Sequence, residues 1–170
     1  MSGLRGRERL QPSLLDRLTD FAPNQTREGP DQQVLTMAQL RQAVLRDLAW
    51  LLNTTHLEAL DDFSATPLVA ESTVNYGIPG FAGMVESASR ISILEKELAT
   101  AIRRYEPRIR PESLRVRARG TPGDRSTMAL VFEIEGELWA QPVPQQLFVQ
   151  TQIEVETRLA VVTDAKGGTR

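Results

Sequence analysis

Cysteine is absent from the 170 residues, which excludes disulfides, thiol nucleophiles and thiolate metal sites. Histidine occurs once, at His56, with no metal-ligand cluster beside it and no second base of its type to activate a nucleophile. It reads as a loop histidine. Lysine occurs only at Lys96 and Lys166, so eighteen of the twenty basic residues are arginine. No stretch approaches the roughly twenty apolar residues of a membrane span, and Met1 to Gln11 has no apolar centre of the signal-peptide kind. The chain reads as soluble and unexported, and the lack of cysteine is compatible with a reducing compartment such as the cytoplasm.

A net charge of -2 gives no global case for nucleic acid or an anionic membrane. The distribution says more. Arg103, Arg104, Arg108, Arg110, Arg115, Arg117 and Arg119 are crowded into one stretch, whereas Glu133, Glu135, Glu137, Glu154, Glu156 and Asp164 face only Arg158 and Lys166 before the terminal Arg170. The second half is basic and then acidic. Arginine suits bidentate, partly desolvated contacts, although codon usage in a GC-rich genome gives the same arginine-to-lysine ratio.

The length suits one domain with its own core. Residues 1–33 read as a flexible N-terminal arm carrying a short amphipathic segment, Pro12-Ser13-Leu14-Leu15-Asp16-Arg17-Leu18, with a turn-rich linker at 22–33. Its leucines either fold back on the core or dock on a partner as a helix in a groove. Residues 34–163 read as a single α+β domain, and 164–170 as a frayed tail. Thr36 and Gln39 make a capping box, and Met37, Leu40, Val44, Leu48, Leu51 and Leu52 recur at helical spacing. Arg41, Arg46 and Asp47 fall outside that stripe, and Trp50 at its margin reads as a partly buried core residue. Residues 54–87 have no sustained period. Tyr76, Ile78 and Phe81 argue that this connection packs on something.

Ser92 and Glu95 form a second capping box, from which a helix with Leu94, Leu98, Ala101, Ile102 and Tyr105 inward should run to about Tyr105, where Pro107 disfavours its continuation. Leu114, Val116 and Ala118 then alternate with Arg115, Arg117 and Arg119 as a strand with its arginines on one side. After a turn at 120–124, Met128, Leu130, Phe132 and Ile134 make a central strand, with Gly136 marking a bulge or bend. Leu147, Val149, Thr151, Ile153 and Val155 make a third. The expected architecture is two main helices packed on a three-stranded antiparallel meander, with a short N-terminal helical arm.

Chemistry finds little support. Asp61-Asp62 lacks the spacing of a calcium loop, no phosphate-cradling glycine loop occurs, and neither a metal nor a cofactor is implied. Glu106 is the one carboxylate worth weighing as the general acid of a peptidoglycan hydrolase. Such an acid needs apolar surroundings or a like charge, and arginines surround this one. A nucleic-acid-binding module is a further alternative, through the arginine strand, but no tryptophan or phenylalanine lies between 106 and 131 to serve as a stacking platform.

Four strings, in order, carry a resemblance: Ser13-Leu14-Leu15-Asp16-Arg17-Leu18; Arg46-Asp47-Leu48 through Leu51-Leu52-Asn53-Thr54; Asn75-Tyr76-Gly77-Ile78-Pro79; and Tyr105-Glu106-Pro107-Arg108. Together they resemble the TssE family of type VI secretion baseplate subunits, similar in turn to the small wedge protein of contractile phage tails and labelled "lysozyme-like". The resemblance implies a non-catalytic structural subunit of the bacterial cytoplasm, in a baseplate docked at the inner membrane without inserting in it. Its implied partners are the baseplate proteins TssF, TssG and TssK and the sheath proteins TssB and TssC, with no nucleic acid. It would join the wedge and start sheath polymerisation by strand addition, for which the acidic third strand is the candidate edge. The implied contact residues are Glu106, Pro107 and Arg108, turned outward at a rigid corner, with Arg104 and Arg110 beside them and Leu14, Leu15 and Leu18 on the arm.

Overall fold

The computed structural model of the protein describes residues 13–19, 35–80, 88–119, 129–139, 145–154 and 159–165. Thr36 caps the long helix α2 (Met37–Leu52): its hydroxyl accepts from the Gln39 N–H, and the Gln39 side chain accepts from the Thr36 N–H. Leu40, Ala43, Val44, Leu48, Leu51 and Leu52 are buried along one stripe of α2, the face that the spacing predicts. Helix α4 (Ala88–Tyr105) buries Leu94, Leu98, Ala101 and Ile102 and ends at Tyr105, before Pro107. Its start corrects the expected capping box. The helix begins a full turn before Ser92, so Glu95 is no N-terminal cap; its carboxylate accepts from the Ala118 N–H at 2.7 Å instead.

Helices α2 and α4 pack against each other and on one face of an antiparallel sheet. The sheet runs β1 (Arg115–Arg119), β2 (Ala129–Leu138), β3 (Gln145–Glu154), β4 (Ala160–Asp164), in that order, as a meander. The α+β class stands as expected, and the sheet has a fourth strand where three were expected. Strand β4 is short, with apolar residues not sorted by face, so periodicity gives it no clear signal. It reaches Asp164, whose carboxylate accepts from Arg41 Nε of α2 at 2.6 Å. In the core, Phe132 and Ile134 of β2 and Leu147, Val149 and Ile153 of β3 meet Leu48, Leu52, Leu98 and Ile102 of the helices. Gly136 marks no break. Strand β2 continues through it, and a side chain there would come within 2.8 Å of Ile109 Cγ2, so the site demands glycine for close approach.

Between α2 and α4, residues 54–80 form two short 3-10 turns and the helical turn α3 (Pro67–Ala70). Tyr76 and Ile78 do pack on the core; Phe81 lies outside the described residues, as do the linker at 22–33 and the turn at 120–124. No helix among the described residues is long and apolar enough to cross a membrane.

Candidate functional site

The corner after α4 is built from both ends. The Glu106 N–H still donates to the Ile102 carbonyl at 2.9 Å, continuing the helix for one bond. Beyond Pro107 the chain is seized by β2: the Trp139 N–H donates to the Arg108 carbonyl at 2.7 Å, and the Arg110 N–H to the Glu137 carbonyl at 2.9 Å. Ile109 is buried between them.

This corner turns Glu106 inward. The residue is 2% exposed, which corrects the expectation of an outward plug. Arg108 closes on it bidentately, Nε to Oε1 at 2.6 Å and Nη2 to Oε2 at 2.5 Å, and the Arg108 N–H also donates to Oε1. Nη2 of Arg108 further donates to Asp47 Oδ2 on α2 at 2.5 Å. Burial disfavours the guanidinium charge, yet the hydrogen bonds and charges of Glu106, then of Asp47, outweigh it and raise the Arg108 pKa above the ordinary arginine value. Both carboxylate oxygens of Glu106 are thus engaged by Arg108.

The charges continue outward. Arg46 Nε donates to Asp47 Oδ1 at 2.8 Å, and Arg46 Nη1 to Asp16 Oδ1 at 2.7 Å. Asp16 belongs to α1 (Leu14–Leu18), capped by Ser13, whose hydroxyl donates to Asp16 Oδ2 at 2.6 Å. Burial would raise the Asp16 pKa; Ser13 and then Arg46 more than offset it, and the value is lowered. The result is an alternating chain, Asp16, Arg46, Asp47, Arg108, Glu106, from the arm through α2 to the buried corner.

This chain decides how the arm sits. Helix α1 docks by its polar side, leaving Leu14 at 71% exposure, Leu18 at 75% and Leu15 at 46%. They are not core. Trp50 is half exposed, against the expectation of a core tryptophan, and the Arg46 guanidinium lies 5.0 Å from the centre of its ring.

A second set of contacts braces the corner from behind. Tyr105 meets Tyr76 edge to face with ring centres 5.1 Å apart, and its hydroxyl lies 2.8 Å from the Asn75 carbonyl oxygen. Asn75 is buried; its amide donates to the Ala70 carbonyl and its Oδ1 accepts from the Glu58 N–H. Gly77, at φ 131°, lets Ile78 pair with Thr54 and His56; a Cβ there would lie 2.5 Å from the Thr54 carbonyl oxygen. Arg104 is exposed, its Nη1 donating to the Ala70 carbonyl. Arg110 lies 3.8 Å from Glu137, and Pro107 is exposed. The four sequence strings thus meet in one place. Sequence reasoning missed Asp16, Arg46 and Asp47 as participants because charged residues beside an apolar stripe read as a solvated face; the adjacent opposite charges of Arg46-Asp47 were the available signal.

The sheet also settles two expectations. Arg115, Arg117 and Arg119 do share one exposed side. Antiparallel pairing sets Arg115 opposite Glu135 and Arg117 opposite Glu133, and Arg119 bridges to Glu133 at 2.8 Å, so basic and acidic residues share one mixed-charge face. Strand β3 pairs on both sides, with β2 and β4. It therefore cannot be the free edge expected of it; the edges are β1 and β4. Among the described residues no group of three or more potential ligands could hold a metal ion.

Comparison with known proteins gives a family. The profile of the family described as baseplate wedge protein gp25 matches residues 38–143. A chain of a solved structure described as "The baseplate complex from the type VI secretion system" aligns with a TM-score of 0.45 at 18% identity, covering 69% of this chain and 96% of that one. No curated protein matches.

Proposed function

The chain belongs to the gp25 family of baseplate wedge proteins, and from that premise we propose that it is the type VI secretion member of the family, joining the wedge through its exposed arm and corner and initiating sheath polymerisation. The family's role in the baseplate is structural. The type VI assignment is supported by the four sequence strings and by their convergence on one network of contacts.

The observation that carries the wedge reading is the inverted arm. A free amphipathic helix hides its leucines against its own core; here ion pairing holds the polar side down and presents Leu14, Leu15 and Leu18 outward. Such a helix fits a groove in a partner, and we assign that groove to the wedge proteins TssF, TssG and TssK. Pro107, Arg104 and Arg110 supply the surface around the corner, while Glu106 and Arg108 hold its shape from within. Sheath proteins TssB and TssC would add by strand pairing at a sheet edge, in a bacterial cytoplasmic particle docked at the inner membrane. A hydrolase is disfavoured by the salt-bridged state of Glu106.

Co-purification with the wedge proteins tests the arm. Leu14→Ser, Leu15→Ser and Leu18→Ser combined should reduce wedge recovery at least tenfold while leaving the unfolding midpoint within about 6 °C, because each exposed substitution lies within about 0.5 kcal/mol. Undiminished recovery refutes the assignment.

A further inference from the structure

We propose that the connection between α2 and α4 is a docking surface for a basic amphipathic helix of a partner protein. The site uses neither the arm leucines nor a sheet edge, and it goes beyond the function proposed above.

The connection turns apolar side chains outward. Leu60 is 85% exposed and Leu68 81%, the highest values among the described leucines, with Val74 at 63% and Leu57 at 39%. Leu57 and Leu60 stand three residues apart on the 3-10 turn Leu57–Ala59 and its cap, a spacing that sets one side chain over the other. Leu68 belongs to α3, and Val74 to the second 3-10 turn, Thr73–Asn75, which packs on both α3 and the first turn. Single exposed apolar residues are ordinary, but a group of them on packed turns marks an interaction surface.

A fixed frame holds them there. The buried Asn75 ties all the turns together: its Oδ1 accepts from the Glu58 N–H at 2.9 Å, and its amide donates to the Ala70 carbonyl at 3.0 Å and to Glu58 Oε2 at 3.2 Å. Helix α4 adds the Tyr105 hydroxyl, 3.0 Å from the Ser72 carbonyl oxygen, and Arg104 Nη1, which donates to the Ala70 carbonyl at 2.9 Å. Side chains already placed lose little freedom when a partner binds.

Charge and backbone select the occupant. Neither lysine nor arginine occurs from 47 to 89, and the charged side chains that the connection exposes are Glu58, Asp61, Asp62 and Glu71. An acidic surface with leucines in it fits a partner that is basic and apolar together. The connection spends its backbone N–H groups on its own turns: Leu60 and Asp61 donate to the Leu57 carbonyl, Glu71 to that of Pro67 and Asn75 to that of Ser72. An extended peptide would find no row of backbone partners, so recognition runs through side chains. A helix satisfies its own backbone and presents apolar residues three and four apart, with lysine or arginine flanking them.

The test uses the full chain and a peptide of ~18 residues, about five helical turns, with leucine at helical spacing and lysine elsewhere. Its controls carry glutamate for lysine, or the same composition scrambled. The lysine peptide should bind at least tenfold more tightly than either control and shift amides within 57–74 while leaving those of 14–18 in place. Leu60→Ser with Leu68→Ser should weaken binding at least tenfold in a folded protein, both sites being exposed. Asp61→Asn with Glu71→Gln should weaken it and flatten its salt dependence. The variant with serine at the three arm leucines should bind the peptide as the wild type does. Equal affinity for the scrambled peptide, a response confined to 14–18, or unchanged binding by Leu60→Ser with Leu68→Ser would overturn the proposal. So would self-association lost in that double variant, which assigns the surface to a second copy, or binding seen only after removal of residues 1–12, which assigns it to the chain's own N-terminus.

Discussion

Replacing Arg108 with alanine would strand the Glu106 carboxylate and leave Asp47 with Arg46 alone, and the sign of the effect separates a structural clasp from a docking plug. Glu106 is 2% exposed and has Arg108 as its cation, while Asp47 keeps about a quarter of its side chain in solvent. Removing one member of a fully buried ion pair costs about 3–5 kcal/mol, chiefly because the remaining charge is left uncompensated. Arg108 itself retains 22% side-chain exposure, so water can enter the vacated space, and the cost falls to about 2–3 kcal/mol. At about 2–4 °C per kcal/mol for a chain of this size, the unfolding midpoint should drop by about 5–10 °C.

The decisive measurement is the cycle with Glu106→Gln, followed by urea and thermal unfolding. In the wild type that substitution weakens the bidentate pair and should cost about 1 kcal/mol. In the Arg108→Ala background it removes an orphaned charge while keeping the side chain's volume, and should raise stability. The same substitution thus changes sign between backgrounds. Equal cost in both, or an Arg108→Ala change below about 0.5 kcal/mol, refutes the clasp; the second outcome with loss of wedge binding would restore the outward plug.

Two further predictions rest on the same neighbourhood. Gly77→Ala puts a side chain on a backbone at φ 131° and 2.5 Å from the Thr54 carbonyl oxygen, and should destabilise by at least about 2 kcal/mol, read as a lower urea midpoint with an unchanged slope; a neutral result refutes the strain assigned there. Asp16 has a folded-state pKa below its ordinary value, so its contribution is complete above the unfolded value of about 3.9 and is lost as pH falls through the lower folded value. Trp50 emission, which senses Arg46, should therefore report arm release only below about pH 4, with the transition absent in Asp16→Asn; release near neutral pH contradicts the assignment.

The sequence showed the elements that bury apolar residues at a fixed period. The stripe of α2, the inward face of α4 and the alternation of β1, β2 and β3 follow from where leucine, isoleucine, valine and phenylalanine fall. It failed where an element lacked a period or a residue had two competing uses. Strand β4 is short, with apolar residues on both faces, and gave no pattern; Ser92 and Glu95 have capping-box spacing, but the helix starts a turn earlier, at Ala88, and Glu95 meets the Ala118 N–H instead.

The misreading of Glu106 has a deeper physical cause. A carboxylate among arginines carries the same local signal whether it points outward or inward, because sequence spacing fixes the helix end at Tyr105 without fixing which way the next side chain turns. Orientation is set by partners distant in sequence: β2 takes the backbone of Arg108 and Arg110, which drives Ile109 into the core. That leaves Asp47 on α2 as the second anion for Arg108. Asp47 also holds Arg46, and Arg46 holds Asp16. One inward turn at the corner therefore organises the position of the arm across α2. The corner acts on a partner through the leucines it helps to aim, and the arm should lose its fixed placement in Arg108→Ala even where the domain remains folded, visible as narrowed amide dispersion and raised exchange confined to residues 13–19.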